Sequence, residues 1–281
     1  LSSFQLDIMN TLCLDAAVIL NISPDHGDRY SSFEEYVASK FSIQNFLKDD
    51  GKLFIERSTA ERYKHLITRE TYYCFDFTDE THSKVRITKN LLAGDESVEY
   101  ISTMDYKKDC GCDKDNALAS YTLCREEGIT LQQHMLALQS FRKAPHRIEY
   151  VRTYDGIEFY NDSKATNAEA VIKAVESIDK DIVLIVGGAD KGLSYDVWKG
   201  SLPPKVKNLI AIGELAAPIY KELGATFDVI PCSSLEEAVH CSRRYANDGG
   251  AVLLSPGSSS YDMFTSYEHR GEEFKRIVNA L

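Results

Sequence analysis

No stretch of the chain stays apolar for the roughly 20 residues that a membrane-spanning helix needs, so no helical anchor is expected in it. Positive charge is scarce: 32 Lys and Arg face 43 Asp and Glu, for a net charge of −11. That balance argues against non-specific binding to nucleic acid, and any anion must be met in a focused pocket. The seven cysteines form no CxxC pair and no Cys/His spacing of a structural zinc site. Reduced thiols in a cytoplasm are the expectation; only Cys110 and Cys112 are close together. Neither GxGxxG nor GxxxxGK[ST] occurs, which removes a dinucleotide loop and a Walker-type phosphate loop from these 281 residues. No signal peptide is expected from the opening residues. Leu1 is not an initiator Met, and Leu1 to Leu6 read as if cut inside a domain.

What is present is a soluble globular composition, 43% hydrophobic and 27% charged, long enough for two cores. The densest chemistry lies in Asn161-Asp162-Ser163-Lys164-Ala165-Thr166-Asn167, between a strand pattern at Ile157–Tyr160 and a helix pattern with Val171, Ile172 and Val175 on one side. A polar strand-to-helix turn of this kind lets backbone N–H groups converge on an anion. Asp162 could hold a metal-bound water or a base edge, Lys164 could neutralise a phosphate, and Thr166 or Asn167 would cap the helix. The alternative is a solvated loop with an N-cap.

Taken in order, Asp15–Ile22 is an apolar run expected to be a strand buried on both faces. It leads into Ser23-Pro24-Asp25-His26-Gly27-Asp28-Arg29-Tyr30, where an imidazole and carboxylates suit a divalent ion or simply make a surface turn. Ser32–Ile43 reads as a helix opened by a Ser32/Glu35 capping box, with Lys40 beside its apolar stripe. Gly51–Glu99 looks like a peripheral region of short strands. Helices are expected from Asp115 to about Glu127, ended by Gly128, and from Leu131 to about Phe141. Pro145 marks a domain boundary, and Arg147 beside it could reach a phosphate. From Ile148 onward strands and helices alternate, which predicts a doubly wound, mostly parallel α/β sheet whose ligand edge is the C-terminal ends of its strands. Gly187–Gly192, with Lys191, and Ser255–Asp262, rich in hydroxyls, both fall on that edge. A lysine and a row of hydroxyls around one crevice suit a small molecule bearing carboxylates.

These stretches together resemble the Mur ligases of bacterial peptidoglycan synthesis, and within them the D-glutamate-adding branch. The likeness rests on LSSFQL at Leu1, LNISPDHGDRY from Leu20, Tyr36 to Lys40, Asn116 to Ala119, Pro145-His146-Arg147, NDSKATN from Asn161, Gly187 to Gly192, and LSPGSSSYDMFTSYEHRG from Leu254. The resemblance implies part of a central ATP-binding domain over 1–144, followed by a Rossmann-like amino-acid-binding domain over 145–281. It implies an ATP- and Mg²⁺-dependent ligase that phosphorylates the carboxylate of UDP-N-acetylmuramoyl-L-alanine, after which the amine of D-glutamate attacks the acyl phosphate. His26 would be a Mg²⁺ ligand and Lys40 a carbamylated lysine, an anion at the metal site where an ammonium would be repelled. Asn116, Asp162, Arg147 and Lys164 would meet the nucleotide, with Asp162 towards the ribose. Thr166, Lys191 and Ser260 would hold the D-glutamate carboxylates, with Tyr261 and Tyr267 in the same pocket. The full-length protein would be a cytoplasmic monomer with no nucleic-acid or membrane partner. Cys112-Asp113 stands where relatives commonly carry His-Asn. The family's phosphate loop and UDP-binding domain lie outside this chain, so the chain alone is expected to be inactive. The alternatives are another Mur ligase, a folylpolyglutamate-synthase-like ligase, or a non-catalytic nucleotide- or amino-acid-binding module.

Overall fold

The computed structural model describes residues 1–27, 29–77, 84–91, 96–102, 114–192 and 194–281, with the backbone alone for 77, 84–91, 96–102, 114 and 115. Cys110, Cys112 and Asp113 lie outside the described residues. Two compact units divide the chain, Leu1–Lys143 and Ala144–Leu281.

The first unit runs α1 (Ser3–Ile8), β1 (Leu14–Ile19), α2 (Phe33–Phe41), β2 (Leu47–Glu56), α3 (Arg57–Arg62), β3 (Thr71–Phe77), β4 (Lys84–Leu91), β5 (Glu96–Ser102), α4 (Lys114–Cys124) and α5 (Leu131–Ser140). Its sheet has the order β1-β2-β3-β4-β5, parallel through β3 and antiparallel beyond. One face of the sheet packs Ile19, Leu53, Ile55 and Cys74 against Val37 and Phe41 of α2, and the other packs Phe54 and Phe75 against Leu118 and Ala119 of α4. Alternate strand residues thus serve two cores, as the period of two requires.

Three expectations for this unit change. Within residues 51–99, β2 and β3 are not peripheral, since they complete the parallel part of the sheet that β1 begins. β1 is buried less evenly than expected: Ala17 and Ile19 are buried in one core, Ala16 and Val18 are only half-buried against the other, and among the described residues the strand lies at the sheet's edge. The capping box at Ser32 is half formed. Its hydroxyl accepts the Glu35 N–H at 3.2 Å, but the Glu35 carboxylate takes the N–H of Ser31 at 2.8 Å, one residue outside the cap. A complete box stands instead at α5, between Thr130 and Gln133, and Gly128 ends the preceding helical turn at φ 79°.

The second unit runs β6 (Glu149–Tyr154), β7 (Ile157–Asn161), α6 (Ala168–Glu176), β8 (Ile182–Gly187), α7 (Val197–Ser201), β9 (Val206–Ile212), α8 (Ala216–Leu223), β10 (Asp228–Pro231), α9 (Leu235–Tyr245), β11 (Ala251–Gly257) and α10 (Tyr267–Ala280). The sheet order is β10-β9-β8-β11-β7-β6, all parallel except the β6–β7 pair. Ile182, Leu184 and Val186 face a core shared with α6, α7 and α8, whereas Val183 and Ile185 face one shared with α9 and α10. Helices therefore cover both faces, which is why β8 reads as an unbroken apolar run with every residue buried. The chain returns from β10 to place β11 between β8 and β7. The loops after β7, β8 and β11 consequently meet on one edge, the switch point at which open α/β sheets hold ligands.

Candidate functional site

In the first unit the loop after β1 carries His26 in a left-handed conformation, φ 57°. Its N–H donates to Asp25 Oδ1 at 2.8 Å, and its ring lies 4.6 Å from that of Phe4 and 5.5 Å from that of Tyr36. Tyr36 lies one turn before Lys40 on α2, and the Lys40 ammonium stands 5.6 Å from the Tyr36 ring centroid. Burial depresses the Lys40 pKa below that of an ordinary lysine, with Asp25 pulling the other way. Burial, then Asp25 and Tyr30, push the Tyr36 phenol up to about 12. The predicted pair His26 and Lys40 is therefore brought together through Tyr36, and Asp25 joins them. Asp7 ties the frame: its carboxylate accepts from Ser39 at 2.6 Å, Tyr30 at 2.8 Å and Arg29 at 3.2 Å.

Among the described residues no three His, Cys, Asp or Glu gather as a metal site. Asp25 and His26 offer two donors, a partial set of the kind Mg²⁺ completes with waters and phosphate oxygens. Asn116, at the start of α4, is exposed. A cavity of about 540 Å³ near Asp49, Arg69 and Tyr73 lies at the N-terminal ends of β2 and β3, opposite this loop. Arg69 Nη2 is taken up there by the carbonyls of Lys48, Asp49 and Gly51.

In the second unit the seven-residue run after β7 divides its labour. Asn161 is fully buried and donates to His146 Nδ1 at 2.9 Å. Asp162 is also buried: Oδ1 accepts the Ile148 N–H at 3.2 Å and Oδ2 the Ser255 hydroxyl at 2.7 Å. Its carboxylate thus serves inside the fold, joining the segment before β6 to the end of β11. Arg147 is exposed between two left-handed residues, His146 at φ 66° and Ile148 at φ 50°. A β-branched residue there costs about 1–3 kcal/mol, and the Asp162 bond to the Ile148 N–H offsets it.

Lys164 stacks its ammonium 3.8 Å from the Tyr267 ring centroid, and His146 meets the same ring edge-on at 6.0 Å. A bond to Glu268, then burial, raise the Tyr267 phenol pKa. Asn167, and not Thr166, caps α6 by accepting the Ala170 N–H at 2.9 Å. The Thr166 carbonyl receives Lys191 Nζ at 3.5 Å, which joins the loops after β7 and β8. Ser258 donates to the Ala189 carbonyl at 2.6 Å and Ala189 N–H to Ser259 O at 2.9 Å, which joins the loops after β8 and β11. Ser260 is 2% exposed, and its hydroxyl has no partner among the described residues. Tyr261, by contrast, is 75% exposed.

The sequence reading missed Arg270, which is wholly buried. A signal was available: it shares the helical spacing of Phe274, Ile277 and Val278, the buried face of α10. A charged residue at such a position needs a polar reason to be there.

Comparison with known proteins places residues 2–112 in the family described as Mur ligase middle domain and residues 146–257 in that described as Mur ligase, glutamate ligase domain. The chain is 43% identical over 281 residues to a UDP-N-acetylmuramoylalanine--D-glutamate ligase of Protochlamydia amoebophila, covering all of this chain and 63% of that protein. It is 37% identical over 295 residues to the same-named ligase of Geobacter sp. strain M21, with the same two coverages. The chain thus spans 63% of the length of these curated relatives. Among solved structures, the MurF ligase of Thermotoga maritima in complex with ADP superposes with a TM-score of 0.60 at 15% identity, over 95% of this chain and 62% of that one. A folylpolyglutamate synthase of Mycobacterium tuberculosis does so with a TM-score of 0.60 at 16% identity, over 94% and 64%. Likeness at those identities speaks for the fold alone.

Proposed function

The chain belongs to the Mur ligases, carrying the family's middle domain and then its glutamate ligase domain, and from that premise we propose that it is the larger part of an ATP-dependent amide ligase that adds D-glutamate to UDP-N-acetylmuramoyl-L-alanine. The named activity of the two relatives supports this substrate pair. The observation that carries the acceptor assignment is the meeting of Lys191, Thr166 and a buried Ser260 hydroxyl, without a partner among the described residues, on loops of one sheet edge.

A buried hydroxyl without a partner costs about 1–3 kcal/mol, which a carboxylate oxygen would recover. Lys191 supplies a compact, mobile cation for a side-chain carboxylate, and the Thr166 hydroxyl a further donor. Held by its carboxylates, the amino acid keeps its amine free to attack. Lys164 and Arg147 are the cations for phosphate oxygens, Lys164 being steered by the Tyr267 ring. Asn116 serves the nucleotide side. Asp25 and His26 would hold Mg²⁺, and Lys40, whose depressed pKa keeps more of its amine neutral, would take up CO₂ as a carbamate. Bound ATP would supply the phosphoryl group that activates the carboxylate of UDP-N-acetylmuramoyl-L-alanine, and the D-glutamate amine would displace that phosphate to form the amide. The whole protein would act as a monomer in a bacterial cytoplasm; among the described residues no helix is long and apolar enough to cross a membrane.

The test is ligand-observed NMR on this chain with D-glutamate, L-glutamate and meso-diaminopimelate. Saturation transfer that favours D-glutamate and disappears in Lys191→Ala is expected. Equal transfer to all three, or transfer that survives the substitution, would refute the acceptor assignment.

A further inference from the structure

Arg270 has no part in the roles assigned above, yet it touches every loop that carries one of the proposed acceptor residues. Its Nε donates to the Ser163 hydroxyl at 2.9 Å and its Nη2 to the Ser163 carbonyl at 2.9 Å, both on the loop that continues to Lys164 and Thr166. The same Nη2 donates to the Ser258 carbonyl at 3.0 Å, two residues before Ser260. Nη1 lies against Gly188, at the root of the loop that holds Lys191: a Cβ on Gly188 would stand 3.1 Å from it. The Ser163 hydroxyl in turn donates to Tyr267 O at 2.8 Å, at the start of the helix that bears Arg270.

The guanidinium is also left incomplete. Among the described residues Nη1 has no hydrogen-bond partner, and Asp262 Oδ1, close to the same glycine loop, has none either. A Cβ on Gly213 would stand 2.1 Å from Asp262 Oδ2 and 3.2 Å from Gly188 Cα, so the Asp262 carboxylate flanks Gly188 as Arg270 does. Burial depresses the Arg270 pKa to about 10, and Asp262 opposes this only through its charge. A fully buried cation normally has a carboxylate in contact. Here, among the described residues, it is met by carbonyls and a hydroxyl, beside the loops proposed to hold the acceptor.

We propose that Arg270 is the positioning residue of the acceptor site: one buried guanidinium sets the spacing of Thr166, Lys191 and Ser260, and its charge, offset by Asp262 only without direct contact, favours a doubly anionic amino acid in the pocket. This rests on the acceptor reading above for its ligand, but not for its effect on the loops. Two positional consequences follow. The Lys191 and Ser260 side chains act as a pair only while Arg270 holds their loops, so their effects on binding are coupled through it. Lysine at 270 keeps the charge without the fork, and recovers charge-dependent preference without full affinity.

The experiment compares wild type, Arg270→Lys and Arg270→Met by amide hydrogen exchange and by titration with D-glutamate and D-glutamine. In Arg270→Met the Ala189 and Gly257 amides, which bond to Ser259 O and Ala165 O, are expected to exchange about tenfold faster or more while the β8 amides are unchanged. D-glutamate affinity should fall about tenfold or more. Adding Lys191→Ala to Arg270→Met should cost much less than it does in wild type, as coupled residues behave. Arg270→Lys should restore the preference for D-glutamate over D-glutamine. Unchanged loop exchange in a folded Arg270→Met would overturn the proposal, as would additive Lys191 and Arg270 effects. If Arg270→Met does not fold, Arg270→Lys decides by the same exchange and titration, and wild-type behaviour in both overturns it. Wild-type protein that binds no D-glutamate refutes the acceptor assignment instead, and the exchange result still decides the role of Arg270 in the loops.

Discussion

Adding one methyl group at Gly188 should do more damage than its size suggests. Gly188 sits at φ 135°, a conformation that L side chains rarely adopt, and a Cβ there would stand 2.2 Å from the Ser259 carbonyl oxygen. The conformational strain is worth about 1–3 kcal/mol. The contact is with backbone, so no rotamer can relieve it, and forced displacement adds about 1–3 kcal/mol more. The Ala189–Ser259 bond that closes the site would open with it. Gly200, in α7, provides the contrast: a Cβ there meets nothing within 4 Å. Alanine at that helical position should stabilise by about 0.5–1 kcal/mol. Differential scanning fluorimetry and urea titration of the two variants should therefore move in opposite directions, with Gly188→Ala losing about 10 °C in the melting of the second unit. A neutral Gly188→Ala, or a destabilising Gly200→Ala, would refute this account of the loop.

Lys40 should carry a ¹³C carbamate signal when the protein is equilibrated with labelled bicarbonate, and Lys40→Arg should not; no signal in folded wild type would remove its assigned role. His134 is buried, with Nε2 3.3 Å from the Ser120 hydroxyl, and burial lowers its pKa from the ordinary 6.5. The folded state thus binds its proton less readily than the unfolded state, so this contribution is intact above about pH 6.5 and is lost as pH falls below it. Urea unfolding at pH 7.5 and 5.5 should show a loss that His134→Gln lessens, and parallel behaviour of the two proteins would contradict it. Asp162→Ala strands the Ile148 N–H and the Ser255 hydroxyl and should cost about 2–4 kcal/mol, with Asp162→Asn milder because an acceptor remains. Equal unfolding midpoints for the two variants would show that the carboxylate does not act as described.

Periodicity carried most of the second unit into view. The apolar run at β8, the capping Asn167 and the alternation of strands and helices are local signals, and local signals survive folding. The first unit was harder because β2 carries Lys48, Asp49 and Asp50 within a strand of the main sheet. Nothing local tells a strand which neighbour it will pair with. At the proposed site, residue types suggested only a lysine and a row of hydroxyls suited to carboxylates; the choice of Thr166, Lys191 and Ser260 came from the family resemblance. The internal duty of Asp162 and the linking role proposed for Arg270 depend on partners about 90 to 110 residues away in sequence, Ser255 and Ser163. Such pairings are fixed by topology, which returns β11 between β7 and β8, and no spacing along the chain encodes them.

The most direct measurement of the central claim is a crystal structure of this chain soaked with D-glutamate. The account predicts difference density for the amino acid on the edge formed by the loops after β7, β8 and β11, with one carboxylate at hydrogen-bond distance from Lys191 Nζ and the other at the Ser260 hydroxyl. Density for D-glutamate elsewhere on the protein, or an empty edge in crystals whose protein binds D-glutamate in solution, would contradict it.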